Sequence, residues 1–348
     1  MKKILIVLFC LPAFIAAGEA GSAPAKNEVV VYNWSEYIPQ DVLNDFTQET
    51  GIKVIYSTFE SNEAMYAKVR LLGGYTYDIV VPSNYILEMM IGDDLLTPID
   101  LGKITNFKNL DPKLLNLKFD PGNKYSIPYM WGTTGLAYNS KYIKPEQISK
   151  WADLLRPEFK GKIIFSDDLR DAFSVALMAK GLDPNTVKRE DIQSGYEFLR
   201  ALKPSVRKLD VTATKQTLIT EEVWLGTIWN GDYLVAAEEN PDLNFVYPEE
   251  GVLLWIDNFV ILKNAPNKEN AHIFINYMLR PEVAKRCIEE FYYSSPNLAG
   301  IALLDEELRA NPVLVPTDEE MRNSRLQEGV GDTLAVYEEF WEKFKTDK

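Results

Sequence analysis

The chain of 348 residues carries 51 acidic and 37 basic side chains, which gives a formal net charge of −14. Nucleic acids and anionic membranes attract clustered cations, so this charge argues against both kinds of partner. Hydrophobic residues at 46% and charged residues at 25% are typical of a folded globular protein, and the length suggests two domains. His272 is the one histidine, which excludes a multi-histidine metal site and argues against a Ser-His-Asp mechanism.

The first segment of the chain has the pattern of an export signal. Two lysines precede an apolar run over residues 4–17, and small residues follow it. We therefore expect residues 1–25 to be a signal segment and the mature protein to lie outside the cytoplasm, in the periplasm. Cys10 inside the run offers a lipid anchor as an alternative, although Phe9 fits poorly before a lipidated cysteine.

The first half of the mature chain alternates strands and helices. Residues 29–32, 53–59 and 77–81 are rich in β-branched and aromatic side chains and are predicted to be strands. A helix between the first two is expected to end at Gly51, and the next is expected to begin after Ser61, a good N-cap. This order is one half of a doubly wound, mainly parallel sheet.

A second set of elements repeats this pattern. Strands are predicted at residues 162–165 and 223–228, with helices at 168–179 and 191–202 between them. A last helix carries an apolar stripe from Leu334 to Phe344. The fold class is therefore α/β, with two domains that each have a mainly parallel sheet flanked by helices.

Two long extended segments are expected to join these domains. Residues 125–139 and 253–262 are both long and apolar, and Gly132 and Gly135 offer hinge freedom in the first. The expected boundaries are residues 26–134 plus 257–302 for a first lobe and 135–256 plus 303–348 for a second.

Aromatic and acidic side chains recur just beyond the predicted strand ends, where open α/β sheets bind ligands. Rings attract organic cations through their faces, and carboxylates neutralise ammonium groups, so the pattern favours a cleft for an organic cation. The residues at these positions are Trp34, Ser35, Tyr37, Ser83, Tyr85, Asp168, Asp171, Trp229, Trp255 and Asp257.

Each of these residues also has a purely structural interpretation. Single tryptophans and tyrosines are more often part of a core than of a binding site. Asp168 could cap a helix with Asp171 in its first turn, and Asp257 could simply end a strand. The pattern is informative because so many such residues fall at the same topological ends.

Five segments of the sequence resemble the bacterial periplasmic spermidine/putrescine-binding proteins. The resemblance extends over essentially the whole mature chain and rests on residues 31–39, 77–83, 126–133, 228–231 and 295–297. It implies a two-domain periplasmic-binding-protein fold of type II, and a receptor that delivers putrescine or spermidine to the membrane permease of an ABC importer. We expect no cofactor and no enzymatic activity. The oligomeric state stays open, although a monomer suffices for a hinged receptor.

The resemblance also implies roles for individual side chains. Two positions depart from the pattern: Ser35 replaces a threonine, and Asp171 replaces a glutamate, which leaves the preference between putrescine and spermidine open. The implied aromatic box is Trp34, Tyr37, Tyr85, Trp229, Trp255 and Tyr293; the implied ammonium-binding acids are Asp168, Asp171 and Asp257; and the implied hydrogen-bonding groups are Ser35, Ser83 and Gln327.

Two other functions stay open from the residues. Adjacent Tyr292 and Tyr293 could bind ferric iron in a receptor of the same architecture, although neighbouring helical residues point about 100° apart. A carboxylate pair could serve a glycoside hydrolase, although no spacing singles one out.

Overall fold

The computed structural model describes residues 27–346. The predicted signal segment and Cys10 lie outside these residues. None of the described helices has the length and apolar character needed to cross a membrane.

The strands alternate with helices much as the sequence predicts. Within the described residues the strands are β1 (Glu28–Trp34), β2 (Lys53–Phe59), β3 (Ile79–Val80), β4 (Ser126–Asn139), β5 (Ile163–Phe165), β6 (Val206–Leu209), β7 (Leu225–Trp229), β8 (Leu243–Val246), β9 (Leu253–Ile261) and β10 (Arg325–Leu326). The prediction lacks β6, where Arg207 and Lys208 interrupt the apolar pattern, and it also lacks β8 and β10. β3 is shorter than predicted, and β7 begins two residues later.

The end of α1 and the start of α2 follow the predicted local signals. Gly51 adopts the left-handed conformation that ends α1, and the Ser61 hydroxyl accepts a hydrogen bond from the Ala64 amide at the start of α2. The α-helices are α1 (Gln40–Thr50), α2 (Asn62–Leu71), α3 (Asn84–Gly92), α4 (Leu169–Ala179), α5 (Arg189–Leu202), α6 (Thr214–Ile219), α7 (Asn230–Glu239), α8 (Lys268–Met278), α9 (Pro281–Phe291), α10 (Leu298–Ile301), α11 (Glu306–Ala310) and α12 (Leu334–Thr346).

All strands belong to one curled sheet with the order β2-β1-β3-β9-β4-β7-β5-β6, in which β10 adds to β9 and β8 to β4. The outer pairs β1–β2, β1–β3, β5–β6 and β5–β7 are parallel. The central strands β4 and β9 run antiparallel to each other. β4 is also antiparallel to β7, and β9 is also antiparallel to β3. This architecture confirms the predicted α/β fold of the two-domain type II class.

Two large hydrophobic cores lie on either side of the central strand pair. In one core Phe46 of α1 packs edge-on against Phe274 of α8, with 5.1 Å between ring centroids. In the other, Trp151 is completely buried and Phe173 of α4 contacts Tyr337 of α12 at 5.2 Å. The C-terminal apolar stripe therefore packs on one core, as predicted.

A smaller hydrophobic cluster joins residues from both predicted lobes. Leu304 and Leu314, which we predict in the second lobe, pack with Ile288 of α9, which we predict in the first. The lobe boundaries stay a prediction, and this contact shows that the segment after residue 302 touches both parts.

The glycines of β4 have a packing role. A Cβ on Gly132 would lie 2.4 Å from the Trp255 ring, and one on Gly135 would lie 2.3 Å from the Phe245 ring. Such approaches are too close for any side chain, so these positions need glycine for close packing. The hinge freedom that the sequence suggests for these glycines stays a prediction.

Candidate functional site

A cavity of about 450 Å³ opens where strands from both sides of the sheet end. It is lined by all of the residues that the sequence and the resemblance nominate: Trp34, Ser35, Tyr37, Ser83, Tyr85, Asp168, Asp171, Trp229, Trp255, Asp257, Tyr293 and Gln327. β1 and β7 place Trp34 and Trp229 at their last positions, and β9 places Trp255 and Asp257 two residues apart on one face. That these side chains contact a ligand stays a prediction.

One acid of the cavity is carried by β9 and surrounded by hydroxyl groups; we call Asp257, Tyr37 and Ser83 the Asp257 centre. The Tyr37 hydroxyl donates to Asp257 Oδ2 at 2.5 Å, and the Ser83 hydroxyl donates to Oδ1 at 2.6 Å. Burial raises the pKa of Asp257 to about 7, although both hydrogen bonds oppose the shift. Ionising this acid without a cation is therefore costly, and a buried ammonium would offset that cost.

Asn62 positions Ser83 in the Asp257 centre. Its side-chain amide donates to the Ser83 hydroxyl at 3.0 Å, and its carbonyl accepts from the Ser83 backbone amide at 3.0 Å. Because the Ser83 oxygen accepts this bond, its hydrogen is directed to Asp257.

The second acidic group lies at the start of α4; we call Asp168, Asp171, Thr134 and Trp229 the Asp168–Asp171 centre. Asp168 caps the helix, because its side chain accepts a hydrogen bond from the Asp171 backbone amide at 2.9 Å. This confirms the capping role that the sequence offers for Asp168. Asp171 Oδ2 accepts from the Trp229 indole at 3.0 Å and from the Thr134 hydroxyl at 3.1 Å. Burial, and then the charge of Asp168, raises the pKa of Asp171 to about 7.

Aromatic rings form a continuous wall between these acids. Trp229 meets Trp255 at 6.3 Å between ring centroids, Trp255 meets Tyr293 at 5.6 Å, and Tyr293 meets Tyr37 at 5.3 Å, all edge to face. A Cβ on Gly231 would lie 2.6 Å from the Tyr293 ring, so the small residue there permits this packing. The wall presents apolar faces to the methylene groups of a ligand.

The remaining nominated residues have other partners or none. The Tyr85 hydroxyl donates to Glu63 Oε1 at 3.0 Å, and the exposed Ser35 hydroxyl donates to Glu60 Oε2 at 3.4 Å. Gln327 is buried, and its side-chain nitrogen has no hydrogen-bond partner. A buried amide donor without a partner in a cavity is a candidate ligand contact.

Seven further residues line the cavity without having been nominated: Glu36, Glu60, Asn62, Val211, Thr212, Lys215 and Asp232. Asp232 lies in the first turn of α7, directly after β7, and the strand-end rule that found Asp171 would also have found it. Lys215 is carried by α6, which follows no predicted strand, and no motif in the sequence indicates its position.

The lining is strongly acidic. Six carboxylates and a single lysine line the cavity among the residues that the structure describes: Glu36, Glu60, Asp168, Asp171, Asp232 and Asp257, with Lys215. Lys215 forms ion pairs with Glu36 and Asp232, whereas none of the described lysines and arginines lies within ion-pair distance of Asp168, Asp171 or Asp257. Burial raises the pKa of Asp168 and of Asp171, and the charge of the buried Arg170 opposes both shifts without forming an ion pair with either acid. Buried acids without an ion-pair partner favour a cationic ligand.

The residues behind the ferric-iron alternative point in different directions. Tyr293 lies in the cavity, whereas Tyr292 adopts a left-handed conformation and donates to Glu238 outside it. Residues 27–346 contain no cluster of three or more His, Cys, Asp or Glu side chains that could hold a metal ion.

Comparison with known proteins agrees with this geometry. Residues 41–316 match the model of the bacterial extracellular solute-binding protein family. The chain is 41% identical to the spermidine/putrescine-binding periplasmic protein of Escherichia coli (strain K12) over the whole length of both chains. It is 33% identical to the putrescine-binding periplasmic protein of the same organism, over 87% of each chain.

A solved structure extends the similarity to the fold. The substrate-binding protein of a spermidine/putrescine ABC transporter from Streptococcus pneumoniae superposes with a TM-score of 0.79 at 38% identity, covering 91% of this chain and 98% of that one. The motif resemblance, the fold and the family match thus agree over nearly all of the described residues. The chain belongs to the bacterial extracellular solute-binding protein family.

Proposed function

We propose that this protein is a receptor that binds putrescine or spermidine in the cavity and delivers it to the membrane permease of an ABC importer. The observation that supports this most is the pairing of two unneutralised acidic centres with a wall of aromatic rings in one cavity. The relatives named for spermidine and putrescine support the same ligand class.

The two acidic centres provide the charge that an alkylamine needs. A carboxylate about 4 Å from an ammonium gains on the order of 4 kcal/mol at an effective dielectric near 20, before desolvation is subtracted. A diamine can place one ammonium at the Asp257 centre and the other at the Asp168–Asp171 centre. A monoamine leaves one buried acid unpaired, and this difference is the basis of selectivity.

The rings supply the remaining recognition. Each favourable contact between an ammonium and a ring face adds roughly 0.5 to 2 kcal/mol. Trp229 and Trp255 flank the path between the two centres, so the methylene chain of the ligand packs against them. The cavity volume of about 450 Å³ is in the range of small-molecule sites.

Ligand binding is proposed to close two lobes around the amine. The Asp257 centre belongs to the proposed lobe of residues 26–134 plus 257–302. Asp168, Asp171 and Trp229 belong to the proposed lobe of residues 135–256 plus 303–348, and Thr134, the last residue of the first lobe's opening segment, donates to Asp171 across the boundary. A ligand that contacts both lobes favours the closed arrangement. The receptor acts as a monomer, without enzymatic activity or nucleic acid partner, outside the cytoplasm; the comparisons favour neither iron binding nor glycoside hydrolysis.

Calorimetry with putrescine, spermidine and butylamine tests this function. We expect putrescine or spermidine to bind at least 100-fold more tightly than butylamine, because only a polyamine satisfies both centres. Equal, millimolar affinities for all three amines would contradict the proposal.

A further inference from the structure

Lys215 places an ammonium group of the protein inside the cavity. Its Nζ lies 2.8 Å from Glu36 Oε2 and 3.4 Å from Asp232 Oδ1, and its side chain is 23% exposed. Glu36 follows β1, and Asp232 opens α7, so Lys215 joins acids that come from both sides of the cavity. We call Lys215, Glu36 and Asp232 the Lys215 cluster.

The Lys215 cluster adjoins the Asp257 centre through Tyr293. The Tyr293 ring lies 5.3 Å from the Tyr37 ring of that centre. Burial raises the pKa of Asp232, and both Lys215 and Tyr293 oppose this shift. Because Tyr293 stands between Tyr37 and Trp255 in the aromatic wall, a ligand that spans the two centres along this wall passes the Lys215 cluster.

Lys215 stays charged in this position. Burial lowers its pKa, but the charges of Asp232 and Glu36 outweigh burial, so that the pKa is raised above its ordinary value. Of the six acidic side chains that line the cavity, Glu36 and Asp232 share the Lys215 ammonium, and Glu60 is exposed to solvent. Two positions, the Asp257 centre and the Asp168–Asp171 centre, are left for ligand ammonium groups.

We infer that Lys215 is a specificity-determining residue, which limits the ligand to two ammonium groups by occupying the position that the third ammonium of a triamine would take. The inference rests on the proposed function and refines its ligand class. A diamine pairs with both free centres, whereas a triamine brings a third cation towards Lys215 without a further buried, unpaired acid to receive it. The favoured ligand is accordingly a short α,ω-diamine such as putrescine.

Calorimetry with putrescine and spermidine on four proteins tests the role of Lys215. The variants are K215Q, which frees Glu36 and Asp232; K215R, which keeps the charge; and K141Q as a matched control. Lys141 also pairs with two acids, Glu221 and Asp242, but it lies on the surface outside the cavity. Circular dichroism verifies that each variant is folded.

The ratio of the spermidine Kd to the putrescine Kd is the decisive quantity. We expect a ratio above one in the unmodified protein, a decrease of at least tenfold in K215Q, and changes below threefold in K215R and K141Q. An unchanged ratio in K215Q, or an equal decrease in K141Q, would overturn the inference while the proposed function stands.

The unmodified protein provides a test that needs no variant. Spermidine binding more than tenfold tighter than putrescine binding would overturn the role of Lys215 even if K215Q did not fold. Failure of the unmodified protein to bind either amine would instead contradict the proposed function, so the two failures are distinguishable.

Discussion

Asp257 is a single acid on strand β9 with a hydroxyl donor on each oxygen, whereas Asp171 begins helix α4 beside a second acid, Asp168. At Asp171 both side-chain donors reach the same oxygen, Oδ2. The Asp257 centre therefore has one carboxylate in a fixed orientation. The Asp168–Asp171 centre has two acids, and the other oxygen of Asp171 has no side-chain donor.

This difference assigns unequal tasks to the two centres. A carboxylate on a central strand, fixed by two short hydrogen bonds, sets the position of one ammonium closely. Two acids one helical turn apart can share an ammonium, so that either compensates partly for the loss of the other. We expect the first centre to determine where the ligand is anchored and the second to tolerate variation in its far end.

Removing the charge of each centre separately should produce the largest effects. We expect Asp257→Asn to weaken putrescine binding about 100-fold, or roughly 3 kcal/mol, because the nearby acids Glu36 and Asp232 are already paired with Lys215. Asp171→Asn should weaken it only about tenfold, because Asp168 is still present. Calorimetry measures both values.

Asp94→Asn is the control for these two variants. Asp94 pairs with Lys263 on the surface, at 75% exposure, so its replacement should leave putrescine binding within twofold. Equal losses in Asp257→Asn and Asp171→Asn would show that the two centres do not differ in the proposed way.

The pH dependence of stability should show a smaller effect. Burial raises the folded-state pKa of Asp257 to about 7 from an ordinary value of 3.8. The raised pKa contributes stability below about pH 4 that is lost progressively as the pH rises through about 7. The part lost between pH 5.5 and pH 8 is on the order of 2 kcal/mol. The ligand-free protein should therefore unfold at a higher temperature at pH 5.5 than at pH 8.

A bound diamine should reverse this trend, because it keeps the acid ionised and releases protons on binding near pH 6.5. Thermal unfolding with and without putrescine measures the effect. Asp257→Asn, which cannot ionise, should reduce the pH dependence of the free protein, and Asp171 and Glu63, whose pKa values are also raised to about 7, account for the remainder. Acids with a lowered pKa, such as Glu339 with a pKa of about 2, titrate below the range from pH 5.5 to pH 8. If the unfolding temperature of Asp257→Asn depended on pH in the same way as that of the unmodified protein, Asp257 would not be the cause of the dependence.

The smallest effect is expected for Trp229→Phe, which keeps an aromatic ring but removes the indole donor to Asp171. Loss of this one hydrogen bond should weaken putrescine binding about fivefold, or about 1 kcal/mol. Trp224→Phe is the matched control, because Trp224 stacks on Tyr142 outside the cavity. A loss as large as that of Asp171→Asn would mean that the indole donor fixes Asp171 as firmly as the hydroxyls fix Asp257.

Local patterns were sufficient to predict many of the elements and most of the nominated side chains of the cavity, whereas Tyr293 and Gln327 were nominated only by the family resemblance. Residues 29–32 and 53–59 are β-branched runs, Gly51 ends a helix, and Asp168 caps one; each property depends on neighbours in the chain. The strand-end rule then converts these predictions into a list of aromatic and acidic residues. The preference for a cation follows from their chemistry.

Contacts between distant segments were decided only by the tertiary structure. The hydroxyls of Tyr37 and Ser83 reach Asp257 across 220 and 174 residues of chain, and Lys215 pairs with Glu36 across 179. No local pattern contains these pairings, because they depend on how the sheet brings β1, β9 and α6 together. For the same reason the sequence alone left open how many acids of the cavity are available to ammonium groups of a ligand. An acid that pairs with the protein's own lysine looks no different in sequence from one that does not.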